Sequence, residues 1–165
     1  MIRKEVLSLA EQEAFAQLYQ RQFQAVYRVC YTYMKNPYDA EDCTEDAFVH
    51  YLRHPVAFEN ERHERSWLTV TAMNVCKDRL KHWWHKKTVP LEDYEQTLAA
   101  PEQDQTLEAV MALPPKYKDV IYLHYYEGYK TDEIAAMLHR PASTVRNQLR
   151  DAREKLRVQL GGDGL

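Results

Sequence analysis

Five carboxylates fall between positions 39 and 46 (Asp39, Glu41, Asp42, Glu45 and Asp46), and residues 36–46 contain no Lys or Arg. A helix start accounts for Asp39, Glu41 and Asp42, because the dipole favours negative charge in the first turn. Glu45 and Asp46 lie further on, and a negatively charged docking surface for a basic partner explains all five. Basic residues cluster as well. Residues 62–87 carry seven Lys/Arg against two acids, and residues 139–157 carry six against two. Phosphate attraction supplies much of the affinity of proteins for nucleic acid, so two separated basic helices suit a chain that touches DNA at two places. A solvated face is the plainer reading of either cluster alone. In the first cluster Asn74, Asp78 and Lys81 follow at steps of four and three, flanked by Lys77 and Arg79. Asn has the two-pronged geometry for adenine, and the bases suit phosphate. Asp78 would repel DNA and is expected to orient a neighbouring base or to cap.

The second basic cluster is more specific. Residues 131–138, TDEIAAML, read as a short helix with Thr131 as its cap and Ile134, Ala135 and Leu138 inward. His139-Arg140-Pro141 makes a turn, and Pro141 starts the next helix with its φ already set. In that helix Val145, Leu149, Ala152 and Leu156 recur at steps of four, three and four. The opposite face offers Ser143, Thr144, Arg146, Asn147, Arg150 and Arg153. This is the pattern of a helix-turn-helix with base-reading and phosphate-holding groups at the start of its second helix.

The elements that must position these residues are helical. Phe15, Leu18, Tyr19, Phe23, Val26, Cys30, Tyr33 and Met34 describe one face of a long helix, which Asn36-Pro37 stops. Asp39 is positioned to cap a second helix to about His54, with Ala40, Cys43, Ala47, Tyr51 and Leu52 inward. A loop follows over 55–62, then a third helix from about Glu64 to Lys86 with Leu68, Thr71, Ala72 and Val75 inside. Between Thr88 and Glu108 lie six acids, no Lys or Arg, and two prolines, the composition of a solvated linker. Four more helices fit beyond it, over about 103–112, 116–126, 131–138 and 142–160. No internal repeat or strand alternation is apparent. The fold expected is all-α: a three-helix module and a four-helix module joined by an acidic linker.

Composition supports this and excludes alternatives. The chain has 165 residues, 28% charged and 45% apolar, with 4 Gly and 7 Pro. That is globular and not turn-rich. The three cysteines (Cys30, Cys43, Cys76) are odd in number and far apart, so neither a disulfide framework nor a paired zinc knuckle is expected, and a reducing cytoplasm suits them. No apolar stretch spans a membrane, and the charged N-terminus is unlike a signal peptide. His82-Trp83-Trp84-His85 lacks two further ligands for a zinc site, so no metal or other cofactor is expected. No phosphate loop, nucleophile elbow or HExxH occurs, which disfavours an enzyme or a small-molecule substrate.

The run LPPKYKDVIYLHYYEGYKTDEIAAMLHRPASTVRNQLRDAREKL (113–156) resembles region 4 of bacterial sigma factors. DAEDCTEDAF (39–48) and SWLTVTAMNVCKDRLK (66–81) are similar to successive parts of region 2. Three motifs in the right order, with a linker where the family has one, point to the extracytoplasmic-function (ECF) group of the sigma-70 family. The resemblance implies a region 2-like module over 8–87, a linker over 88–102 and a region 4-like module over 103–160. It implies that Asp39, Glu41, Asp42, Glu45 and Asp46 dock on core RNA polymerase. It further implies that the minus-10 element is opened by base capture in the loop before Trp67, with Phe58 and Asn60 stacking and hydrogen bonding, and held by Asn74, Lys77, Arg79 and Lys81. The minus-35 element would be read from Ser143, Thr144, Arg146, Asn147, Arg150 and Arg153. An anti-sigma factor is expected as a further partner, and the location is cytoplasmic.

The chain departs from the family at several points. His139 stands where Gly is frequent, and histidine tolerates left-handed geometry better than most. Lys118 replaces the usual Arg and is expected to pair with Glu133, with a poorer fork. Gln148 and Asp151 occupy positions where Arg is common. A helix-turn-helix regulator acting without polymerase would explain the C-terminal module, but leaves the acidic helix and the segment after it without a purpose.

Overall fold

The structure is a computed structural model that describes residues 7–83 and 105–161. The expected linker over 88–102 lies outside the described residues, as do Trp84 and His85 of the double-tryptophan motif. Helix α1 (Leu9–Met34) opens with a reciprocal cap: Ser8 Oγ accepts from Glu11 N at 3.1 Å, and Glu11 Oε1 accepts from Ser8 N at 3.4 Å. It ends as Lys35 turns left-handed, φ 68°. Helix α2 (Pro37–Arg53) is capped by Asn36 and not by Asp39: Asn36 Oδ1 accepts from Asp39 N at 2.8 Å. Pro37 lacks an N–H and has a fixed φ, so it fits the first helical position and starts the helix earlier than a cap at Asp39 would.

Helix α3 (Glu61–Trp83) also begins earlier than expected, because Asn60 Oδ1 accepts from His63 N at 2.8 Å and caps it. Leu68, Ala72, Met73 and Cys76 are buried, whereas Thr71 and Val75 sit half-buried at the flank. Glu64 is 6% exposed and bolts α3 to α1 through Arg21 (3.0 and 2.9 Å) and Gln22 (2.9 Å). Burial by itself raises its pKa, but the hydrogen bonds from Arg21 and Gln22 prevail and lower it. Cys30, Cys43 and Cys76, one from each helix, are fully buried in this core. The neighbouring Cys30 and Cys43 thiols, together with burial, push the Cys76 thiol well up, as suits sulfur acting as a small hydrophobe.

The second module comprises α4 (Gln105–Met111), α5 (Pro115–Ile121) running on into a π-helical segment (Tyr122–Tyr126), α6 (Thr131–Leu138) and α7 (Ala142–Gln159). In the widened segment Glu127 N bonds back to Tyr122 O at 3.2 Å, and Gly128 (φ 74°) supplies the left-handed residue that releases the chain. Helix α6 has Lys130, not Thr131, at its cap position. The Lys130 N–H is taken by Glu133 Oε1 at 2.9 Å, so a carboxylate in the first turn replaces the expected hydroxyl. His139 is left-handed at φ 54°, making the expected turn, and Val145, Leu149, Ala152 and Leu156 are buried against α4, α5 and α6. All seven described helices agree with the all-α, two-module reading.

The modules also touch one another, α1 against α4 and α3 against α6. Lys118 is 3% exposed and lies in this contact, its Nζ donating to the Thr32 carbonyl at 3.2 Å and sitting 5.0 Å from the Tyr33 ring centre. It does not pair with Glu133, which instead takes Arg62 at 3.4 Å. Register explains the difference: α5 presents Lys118 towards α1, while Glu133, at the start of α6, faces α3.

Candidate nucleic-acid interface

Helix α7 carries the clearest surface. Val145 and Leu149 hold it by one face, so Ser143, Arg146, Asn147 and Arg150 stand exposed on the other, with Thr144 half-buried. Arg153 and the exposed Arg150 also have partners within the protein. Arg153 Nε donates to Tyr125 Oη at 2.7 Å, and Arg150 lies 3.6 Å from Asp151. Gln148 accepts from Arg140 at 3.0 Å, so it braces the turn. A major groove admits a helix, and this end of α7 presents both amide and guanidinium groups.

The acidic face of α2 meets a basic residue of α3. Arg79 forks between Asp42 and Asp46, so a residue expected on the minus-10 side is tied to the two acids expected to face polymerase. The side chains of Asp42 and Asp46 remain 51% and 48% exposed, enough to meet a partner as well. Burial raises the pKa of Asp39, Glu45 and Asp46, and repulsion from Glu41, Asp42 and Asp46 adds to it at Glu45. Crowded acids of this kind are relieved by an incoming cation, which is a physical reason for the face to attract a basic helix. Beside it a groove of about 400 Å³ runs between α2 and α3, lined by Asp46, Val49, His50, Val75, Asp78 and His82. Asp78 is exposed there; it neither caps α3 nor pairs with a neighbouring base among the described residues.

The loop before α3 is more tied down than its sequence suggests. Phe58 is half-buried, stacked 5.6 Å from Tyr51 and edge-on to His63 at 5.2 Å and Trp67 at 5.9 Å. Asn60 uses its carbonyl as the α3 cap. An adjoining cleft of about 330 Å³, lined by Phe15, Leu18, Tyr51, Val56, Phe58 and Glu64, is large enough for a planar ring. Asn74 and Lys81 are exposed along α3, whereas Lys77 is drawn to Asp119 at 2.8 Å. Asp119 and Glu127 are the functional-looking residues that sequence reasoning missed, and for Lys118 it named the wrong partner. The signal available was a charged pair, Lys118-Asp119, placed just before the apolar run Val120 to Leu123 that a buried helix needs. Among the described residues no group of three metal-ligating side chains converges, and no helix is long and apolar enough to cross a membrane.

Two helical modules, the second a helix-turn-helix with an exposed basic face, give an all-α protein with the build of a helix-turn-helix DNA-binding module. Residues 12–85 match the family model of Sigma-70 region 2, and residues 103–156 that of Sigma-70, region 4. Over 152 residues the chain is 30% identical to the ECF RNA polymerase sigma factor SigM of Mycobacterium tuberculosis, covering 90% of this chain and 78% of that one. Over 184 residues it is 29% identical to the ECF RNA polymerase sigma factor SigW of Bacillus subtilis, covering 97% of each. Its fold is similar to that of CnrH in complex with the cytosolic domain of CnrY (TM-score 0.64, 23% identity, 93% of this chain and 91% of that one). It is also similar to RpoE in complex with the anti-sigma factor NepR from Bartonella quintana (TM-score 0.70, 17% identity, 92% and 99%). The chain belongs to the ECF group of the sigma-70 family, the RNA polymerase sigma factors.

Proposed function

We propose that this chain binds core RNA polymerase through the acidic face of α2 and reads the minus-35 element with α7. The minus-10 element is opened at the loop before α3. The module boundaries are 8–87 and 103–160, joined by the acidic linker over 88–102. Contact with polymerase falls to Asp39, Glu41, Asp42, Glu45 and Asp46, of which Glu45 is exposed and outside the Arg79 fork. Base reading at minus-35 falls to Ser143, Thr144, Arg146 and Asn147, and phosphate holding to Arg150 and Arg153. At minus-10, Asn74 and Lys81 are presented on α3, and Phe58 sits at the cleft that would receive a displaced base. The observation that carries the reading is one chain holding both an exposed α7 reading face and a crowded acidic α2 face; a simple DNA-binding regulator has no use for the second.

The chain acts by binding and positioning, without a catalytic step of its own, and works in the cytoplasm where polymerase meets promoter DNA. A proteinaceous inhibitor is the further partner, by analogy with the anti-sigma factor seated on the RpoE relative. The test mixes the purified chain with bacterial core polymerase and genomic fragments and sequences the transcripts. Defined start sites absent with core alone are expected, and Glu45→Lys is expected to reduce core association at unchanged helicity. Tight binding to particular duplexes with no transcripts would replace this reading by that of a regulator.

A further inference from the structure

The two flanks of α7 differ in composition. Arg146, Arg150, Arg153 and Arg157 recur at steps of four, three and four and form a ridge along one side. The other side carries Ser143, Thr144, Asn147, Gln148 and Asp151, neutral but for its last member. Between them, at the back, runs the buried stripe of Val145, Leu149, Ala152 and Leu156, so both flanks face outward. Asp151 follows Asn147 by four residues, one turn further along the same side, and its side chain is 49% exposed. Local structure gives no reason for an acid there. Asp151 lies well inside α7 (Ala142–Gln159), too far from the first turn to serve the helix dipole. Lys155, one turn on, leans instead over the Tyr117 ring at 5.5 Å. The ion pair that Asp151 does make is with its neighbour Arg150 at 3.6 Å, whose side chain is 73% exposed. Exposed pairs of this kind are weak, so a stronger partner can take either side chain.

We propose that Asp151 reads a cytosine in the major groove and, with Asn147, sets the minus-35 sequence that this chain selects. The inference rests on the reading of α7 as the helix that enters the groove. An ionised carboxylate only accepts hydrogen bonds, and the major groove offers it two donors, the N4 amine of cytosine and the N6 amine of adenine. Guanine presents O6 and N7, and thymine O4 and a methyl group, so both are rejected. Adenine's N7 stands beside its amine and repels the second carboxylate oxygen, which leaves cytosine. The phosphates sharpen the choice, because an acid set between two phosphate strands is repelled unless a base amine meets it. A wrong base therefore leaves an unpaired charge as well as a missing bond. As α7 docks, Arg150 turns to phosphate and releases Asp151. Gln148 has its carbonyl committed to Arg140 at 3.0 Å. Four residues of helix rise about 6 Å, just under two base steps of about 3.4 Å, so the cytosine lies about two base pairs from the adenine that Asn147 suits.

The test uses holoenzyme assembled from the full chain and bacterial core polymerase. It is offered a duplex library built on one of its own promoters with the upstream element randomised, and the retained DNA is sequenced. Wild type should enrich a cytosine about two base pairs from an adenine. Asn147→Ala should relax the adenine. Asp151→Ala should relax the cytosine position alone, lowering the preference for cytosine over guanine and thymine by about tenfold, the size of one lost base contact. Asp151→Asn, whose amide both donates and accepts, should move that position towards adenine. Unchanged enrichment at every position in Asp151→Ala would make Asp151 a solvated surface acid and overturn the proposal. So would tighter binding to every sequence by the same factor, or relaxation at a position where wild type selects guanine or thymine. If wild type itself enriches no upstream element, the reading of α7 falls and this inference with it, an outcome distinct from an enriched element that Asp151→Ala leaves intact.

Discussion

Arginine serves three ends in this chain, and its surroundings decide which. Arg146 stands exposed at the start of α7, where a guanidinium can fork onto a guanine edge. Arg140, six residues earlier in the chain, is spent on Asp119, Gln148 and the Lys116 carbonyl and serves as a strut. Arg79 clamps two carboxylates of α2 and so aligns that acidic face. The difference predicts a difference in specificity. Arg146→Ala should cost roughly 1–3 kcal/mol on the preferred minus-35 sequence and much less on a mismatched one, in equilibrium titrations against both. An equal loss on both sequences would make Arg146 a phosphate contact.

At the scale of the element, capping and periodicity explain most of what is seen. The stripe of Val145, Leu149, Ala152 and Leu156 is legible from its spacing alone, and all four are buried. Helix starts were less legible, because several polar residues compete for each cap. At α2 Asn36 won over Asp39 through the fit of Pro37 to the first turn, and Asn36 also donates to the Asp39 carboxylate at 2.6 Å. Asn36→Ala should therefore lower stability by about 1 kcal/mol in denaturant unfolding, with α2 otherwise intact. An effect within a few tenths of a kcal/mol would mean that Pro37 and the packing of α2 set the start without the cap. The π-helical segment had no sequence signal: apolar spacing over Tyr122–Tyr126 is compatible with an ordinary helix. What it achieves is visible only in three dimensions, since the residue that follows, Glu127, reaches Arg65 of the other module.

The whole molecule adds pH dependence through Lys118. Burial, helped by the nearby charge of Lys35, lowers its pKa to about 8, against Cys76 and Asp119, which favour the charged form. In the unfolded chain the amine returns to 10.5. Folding therefore penalises the ammonium below about pH 8, and this penalty shrinks as pH rises from about 8 towards 10.5. Wild type should gain stability relative to Lys118→Met across that window, in denaturant unfolding at matched ionic strength. A difference between the two that is constant from pH 7.5 to 9.5, roughly the range before tyrosines ionise, would place Lys118 in water in the folded chain.

Sequence alone determined the helices, the two modules, the helix-turn-helix and the sign of each charged face. These follow from local rules, namely the 3.6-residue period of burial, proline's fixed φ and the clustering of like charges along one helix. Tertiary structure alone decided which charges meet. Lys118 could have reached Glu133 and instead lies against the Thr32 carbonyl, and Asp119 gathers Tyr33, Lys77 and Arg140 from 86, 42 and 21 residues away. Pairings at that separation depend on how modules dock, and the energy that selects them, the cost of burying a carboxylate without partners, exists only once the chain has folded around it.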